Sequence, residues 1–175
     1  MKTSLMKIMF SIALFGMAAT TCAEVKLVTD SGFSIENRIE TNVNKTQAWN
    51  ALIQQVDHWW PKDHSWWYGT FSIDANAGGC FCETLDKKSA EHMRIVFVDP
   101  EKTLRMAGGL GPLQGMGLYG AMDWIFATTE NGSTSVSLRY TVHGVNEDGF
   151  EQLAKIVDQV QGMQLGSLKT YLQAD

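Results

Sequence analysis

The sequence predicts an α+β fold in which a curved antiparallel β-sheet wraps around one long C-terminal helix. Between residues 71 and 142, short runs alternate apolar and polar positions and are separated by turn signals, a pattern typical of antiparallel strands. Residues 147–172 instead carry apolar residues at helical spacing. A sheet with one apolar face needs a cover, and this last segment has the length and the apolar stripe to supply one.

The elements follow in order along the chain. A first strand is predicted at 33–41. Asn44 then caps a helix, with Gln47 completing a capping box, and Pro61 ends the helical region. Further strands are predicted at 71–73, 80–85, 92–98, 103–106, 122–126 and 136–142, with a hairpin loop at 86–89. The stripe of the C-terminal helix consists of Phe150, Leu153, Ile156, Val157, Val160, Met163, Leu168 and Leu172.

Residues 1–23 are predicted to be a cleaved secretory signal. Lys2 and Lys7 precede an apolar run of about a dozen residues, too short for a membrane span of roughly 20, and small residues close the segment. This predicts a periplasmic or secreted protein with one domain at 24–175. The alternative is a lipoprotein acylated on Cys22, although Ala19 and Thr21 fit that pattern poorly.

Charge excludes some function classes. Removal of the signal takes away two lysines and no acid, so 12 of the 14 basic residues remain against 19 acidic ones, a net charge of about −7. Nucleic-acid-binding domains present basic faces, so we expect no nucleic-acid partner. No other apolar run approaches a membrane span. No cofactor is predicted, and the oligomeric state stays open.

The pair Cys80 and Cys82 has three readings. On a predicted hairpin with its loop at 86–89, Cys82 lies opposite Met93 and Cys80 opposite Ile95, which favours small apolar side chains in a core or pocket wall. A disulfide is the second reading and needs a bend, because residues two apart on a straight strand are at the limit of disulfide reach. A weak metal site with His64 is the third.

Polar residues inside the predicted strands could orient a polar group of a ligand. Glu83 with Arg94 is the first such pair, both expected on the face opposite the cysteines. Glu83 and His64 are also the candidates for an acid/base role in catalysis, although a lone surface histidine is the commoner case.

Two further segments are candidates for the wall of a binding site, together with the Cys80/Cys82 strand and the C-terminal helix. The aromatic segment, residues 58–69, holds four of the six tryptophans and contributes Trp59, Trp60, Trp66, Trp67 and Tyr68, either to a ligand mouth or to the core below the first helix. The glycine-rich loop, residues 108–120, is expected to cover a cavity mouth with Leu110, Leu113, Met116 and Leu118. Trp124 on the following strand completes the candidate wall.

With these elements in place, the chain resembles the SRPBCC (START/Bet v 1-like) superfamily of helix-grip proteins. More narrowly, it is similar to the bacterial branch called polyketide cyclase/dehydratase or activator of Hsp90 ATPase 1-like. The resemblance covers about residues 33–173. The motifs that carry it are Ala48-Trp49, His58-Trp59-Trp60, Gly78-Gly79-Cys80-Phe81-Cys82-Glu83, Pro100-Glu101-Lys102-Thr103-Leu104, Gly109-Leu110-Gly111-Pro112-Leu113-Gln114 and Trp124 with Phe126.

The resemblance implies a hydrophobic cavity for a small molecule and leaves the ligand open. The leading hypothesis is therefore an exported protein that binds a small hydrophobic molecule. A cyclase/dehydratase-like enzyme and a metal-binding protein are the alternatives. The enzyme hypothesis rests on the resemblance alone, because no nucleophile–base arrangement stands out in the sequence.

Overall fold

The computed structural model of the chain describes residues 22–174. In this part of the chain, eight strands form one antiparallel sheet with the spatial order β1-β2-β8-β7-β6-β5-β4-β3. The strands are β1 Cys22–Thr29, β2 Gly32–Thr41, β3 Thr70–Ile73, β4 Cys80–Leu85, β5 Lys88–Asp99, β6 Thr103–Gly108, β7 Tyr119–Thr128 and β8 Thr134–His143. The helices are α1 Lys45–Gln54, α2 Val56–Trp59, α3 Pro112–Gly115 and α4 Glu151–Gln173, with a 3-10 turn at Lys62–His64.

The predicted helix-grip fold is confirmed, because the curved sheet packs its apolar face against α4. Side chains from every long strand meet there, among them Ile35, Ile95, Leu104 and Leu138, which are fully buried. Helix α4 contacts β2 and β1 directly, and α1 and α2 flank it. The result is one continuous core between a sheet layer and a helix layer.

The start of α1 is set by local chemistry that the sequence shows. The backbone N–H of Gln47 donates to Asn44 Oδ1 at 2.9 Å, and the N–H of Asn44 donates to Gln47 Oε1 at 3.2 Å. Both bonds of the predicted capping box are therefore present, and they satisfy backbone donors that the first helical turn leaves free.

Two elements were not predicted from the sequence. Strand β1 pairs with β2 at the edge of the sheet, where its side chains are mostly exposed and give little apolar pattern. Helix α3 is a single turn inside the glycine-rich loop. The predicted secretory signal lies outside the described residues, except that Cys22 and Ala23 begin β1. Among residues 22–174, no helix is long and apolar enough to cross a membrane.

The predicted register of the β4–β5 hairpin is wrong. The turn consists of Asp86 and Lys87 alone, and a β-bulge at His92 then shifts the pairing by one residue, so Cys80 lies opposite Arg94 and Phe81 opposite Met93. Because side chains alternate between faces, this slip turns Phe81 and Glu83 inward and places the two cysteines on the other face. The slip also separates Glu83 from Arg94, whose guanidinium is exposed and bonds Glu91 and the Gly78 carbonyl.

Candidate ligand pocket

A pocket of about 330 Å³ lies between α4, the aromatic segment and the glycine-rich loop. Its wall is mostly apolar. The lining residues are Trp60, Asp63, His64, Ser65, Trp66, His92, Leu110, Gly111, Pro112, Leu113, Met116, Leu153, Ile156, Val157, Val160, Gln161 and Gln164. Both the volume and the apolar wall are in the range of sites that bind small molecules.

Three large hydrophobic side chains of this wall are about half exposed. The exposed fractions are 46% for Trp66, 45% for Met116 and 48% for Ile156. They come from the three different segments that build the pocket, so together they mark its rim. Deeper in the wall, Trp60, Leu113 and Val157 are buried.

Apart from His92 on β5, the polar side chains of the wall come from the middle of α4 and from the aromatic segment. Gln161 and Gln164 are 2% and 4% exposed and follow one another by one helical turn. The Gln164 Nε2 atom is 3.3 Å from His64 Nδ1, while its Oε1 atom is buried without a hydrogen-bond partner in the described chain. The apolar wall residues of α4, from Leu153 to Val160, precede this pair, so the helix gives the pocket an apolar part and a polar part.

Glu83 holds the aromatic segment in place beside the pocket. This carboxylate is fully buried and accepts the backbone N–H of Trp66 at 2.9 Å, of Trp67 at 3.0 Å and of Gly69 at 2.9 Å. Burial alone would raise the pKa of Glu83, but these three donors and His92 outweigh it and hold the pKa below its ordinary value. Glu83 is therefore an ionised anchor for the loop.

The last turn of the aromatic segment reaches Glu83 because residue 69 is glycine. A Cβ atom there would lie 2.5 Å from the carbonyl oxygen of Thr84 and 3.0 Å from Glu83 Cγ, closer than side chains pack. The loop must come this close for its N–H groups to meet the carboxylate. Glycine at this position is thus part of the anchor.

His92 owes its inward position to a β-bulge. Phe81 pairs with Met93 and Cys82 with Glu91, so His92 is the extra residue of β5 and is buried together with its neighbour Met93. Its Nε2 atom is 3.2 Å from Glu83 Oε2. Burial lowers the pKa of His92, and the nearby carboxylate compensates only in part, so the ring is neutral at neutral pH. His92 connects the Glu83 anchor to the pocket wall.

Cys80 and Cys82 form a disulfide with an S–S distance of 2.04 Å. Their Cα atoms are 5.5 Å apart, within the usual range, at the irregular part of the β4–β5 pair. The favoured reading of two free apolar thiols in a pocket wall is therefore wrong for this structure. Bonded sulfurs are also not thiolate ligands, and no cluster of three metal-binding side chains occurs among residues 22–174, so the candidate site with His64 does not form.

The structure brings five of the predicted wall residues together and places the others elsewhere. Lining the pocket are Trp60, Trp66, Leu110, Leu113 and Met116. Trp59 and Trp124 pack edge to face in the core, and Leu118 is buried outside this wall. Tyr68 is exposed, and the indole of Trp67 lies under the Lys88 ammonium. Of the two acid/base candidates, His64 lines the pocket and Glu83 does not.

Sequence reasoning missed Gln161, Gln164 and His92. The predicted stripe of α4 used Ile156 and Met163, which are about half exposed, whereas the buried positions run through Val157, Gln161 and Leu165. The sequence did contain a signal for this buried face, because the three positions are each four residues apart and so lie on one side of the helix. Two glutamines were simply not expected in a buried stripe. His92 was missed because a bulge cannot be read from alternation.

Comparisons with known proteins agree on the fold. An uncharacterized protein from Rhizobium leguminosarum aligns with a TM-score of 0.61 and 15% identity over 89% of this chain and 99% of that chain. CalU16 from Micromonospora echinospora gives 0.58 and 16%, over 89% and 87%. Ara h 8.0201 gives 0.56 and 15%, over 81% and 98%. The chain has an SRPBCC-like fold. No family model matches its sequence, and no curated protein matches it.

Proposed function

We propose that this protein binds a small, mainly apolar molecule in the pocket between α4, the aromatic segment and the glycine-rich loop. The observation that carries the proposal is the pocket itself, about 330 Å³ with a largely apolar wall and a rim of half-exposed hydrophobic side chains. Large apolar side chains exposed around an opening are typical of binding sites. Glu83 supports the proposal indirectly, because its hydrogen bonds fix the loop that carries Trp66.

Binding without catalysis is the better supported activity. All the hydrogen bonds of Glu83 go to the loop backbone and to His92, so this carboxylate has no free face toward a substrate. His64 lines the pocket, but its described side-chain partner is the amide of Gln164 rather than a carboxylate that would orient it as a base. Catalysis of a cyclase/dehydratase kind is the second hypothesis and rests on the family resemblance.

Within the SRPBCC-like fold, we assign the chain to the polyketide cyclase/dehydratase branch as part of this proposal. DynU16, a protein of the dynemicin biosynthetic locus, is a structural neighbour that supports it, with a TM-score of 0.54 and 17% identity over 80% of this chain and 47% of that chain.

We further propose that the protein is exported and works in the periplasm or outside the cell. The signal pattern of residues 1–23 supports this, and so does the Cys80–Cys82 disulfide, since disulfides persist in oxidising compartments. Intact mass measurement of the protein from its native source tests it. A chain that begins at Glu24 is expected, and an unprocessed or lipidated chain would contradict the proposal.

The binding proposal is tested with N-phenyl-1-naphthylamine, an uncharged dye that fluoresces in apolar sites. We expect saturable binding to the mature protein. Val160→Trp fills the pocket from its α4 wall and should weaken binding about tenfold or more, a loss of roughly 1.4 kcal/mol. Gln152→Trp, on an exposed position of the same helix, is the matched control. Equal binding by both variants, with both folded, would overturn the proposal.

A further inference from the structure

The buried amide of Gln161 has no hydrogen-bond partner among residues 22–174. The side chain lies in the pocket wall. Its polar atoms are not completely inaccessible, unlike Gln164 Oε1, so the amide stays open to the pocket. One turn further along α4, Gln164 keeps an unpartnered Oε1 atom beside the same wall. Two buried amides with unused hydrogen-bonding capacity therefore lie next to each other at one part of an apolar pocket.

Such groups are costly for a folded protein. Buried polar atoms are nearly always hydrogen-bonded, because a buried donor or acceptor without a partner loses its bonds to water and gains nothing in return. A leucine at position 161 would continue the apolar face of α4 from Val157 to Leu165 at no such cost. The free amide of Gln161 is therefore suited to form a hydrogen bond with a bound ligand.

The charges around the pocket narrow the class of that partner. Among the described residues that line it, there is no lysine or arginine, and Asp63 is the one acidic side chain. Ligands with a carboxylate or phosphate group are usually held by a lysine or an arginine, which the described wall lacks. An amide, in contrast, both donates to and accepts from a neutral hydroxyl group.

We propose that the ligand is an uncharged amphiphile whose hydroxyl group hydrogen-bonds the Gln161 amide while its hydrocarbon part lies against the apolar wall. Gln164 borders the same polar part of the pocket, and the apolar part is formed by Leu113, Val157 and Val160. This inference rests on the proposed function, because it describes how the same pocket selects what it binds.

Three probes with one ring system test the inference by calorimetry at neutral pH: naphthalene, 2-naphthol and 2-naphthoate. The wild-type protein should bind 2-naphthol about fivefold tighter than naphthalene, the gain of one hydrogen bond, and bind 2-naphthoate more weakly than either. If neither naphthalene nor 2-naphthol binds, the proposed function fails together with the inference. If naphthalene binds but 2-naphthol has no advantage, or 2-naphthoate binds best, the inference alone is overturned.

Gln161→Leu supplies the second part of the test. It should abolish the preference for 2-naphthol over naphthalene and leave the thermal midpoint equal or higher. A purely structural glutamine would lower the midpoint instead. Gln159→Leu, the same change on an exposed position of α4, should keep the preference. A preference that survives in Gln161→Leu would overturn the role of this amide.

Discussion

Glu83 accepts hydrogen bonds from three backbone N–H groups near the end of the aromatic segment, those of Trp66, Trp67 and Gly69, so a change of its side chain should be costly. Glu83→Gln keeps the size of the side chain but replaces a carboxylate oxygen with an NH₂ group facing backbone donors. We expect a loss of about 2–3 kcal/mol in the free energy of unfolding, measured by urea denaturation.

The matched control for this change is Glu91→Gln on β5, where the carboxylate is exposed and paired with Arg94. Exposed ion pairs contribute little, so this variant should stay within about 0.5 kcal/mol of the wild type. Equal stability of the two variants would contradict the anchor role of Glu83. A destabilised Glu83→Gln protein should also bind the naphthylamine dye less tightly, since the loop carries Trp66.

His92 should make stability depend on pH between 7 and 5. The pKa of His92 lies below its ordinary value of 6.5 in the folded chain, so on acidification the unfolded chain takes up a proton that the folded chain resists. Stability therefore falls as the pH drops through this range. Urea midpoints measured at both pH values should show a smaller fall for His92→Gln than for the wild type.

The window stops at pH 5 because carboxyl groups contribute below it with opposite signs. The pKa values of Glu83 and Asp57 are held low, which favours the folded chain at neutral pH, whereas burial raises the pKa of Asp158. His143→Gln, at an exposed position of β8, is the control. An unchanged fall in His92→Gln would show that another group causes the dependence.

At the scale of single elements, the β4–β5 hairpin combines a two-residue turn, a bulge and a disulfide. The disulfide closes a very short loop, with a sequence separation of 2, and lies away from the core face. Short closed loops restrict the unfolded chain less than long ones, so Cys80→Ser/Cys82→Ser should cost about 1–2 kcal/mol. Urea denaturation with and without a reductant measures this cost.

The reductant should lower the stability of the wild type by a similar amount and leave the double variant unchanged. Intact mass provides an independent reading, because the oxidised protein is lighter than the reduced protein by two hydrogen atoms. A wild-type chain at full mass that also ignores reductant would contradict the disulfide.

Helix α1 shows how an element can be predicted when its determinants are local. Asn44 and Gln47 are three residues apart, and the capping box depends on nothing beyond them. Asn44→Ala should therefore cost about 1 kcal/mol by urea denaturation. Gln54→Ala, an exposed position at the other end of the helix, is the control and should be nearly neutral. Similar losses of stability in both variants would show that the effect comes from the helix as a whole and not from the capping box.

At the scale of the whole molecule, the pocket arises where three segments distant in sequence meet. Trp66, Met116 and Ile156 mark its rim and come from the aromatic segment, the glycine-rich loop and α4. All three of these segments were predicted as wall candidates from the sequence. Their individual members were predicted less well, because whether a tryptophan such as Trp59 faces the core or the pocket depends on packing.

The sequence by itself determined the order of elements, the amphipathic C-terminal helix and the capped start of α1. These depend on periodicity and on contacts between near neighbours, which a linear sequence displays. The tertiary structure decided what sequence alternation could not. The bulge at His92 sets which face Glu83 and the cysteines occupy. The packing of α4 decided that Gln161 and Gln164 are buried. Which face of a helix is covered depends on where the sheet and the loops lie around it, and the sequence of the helix alone does not show this.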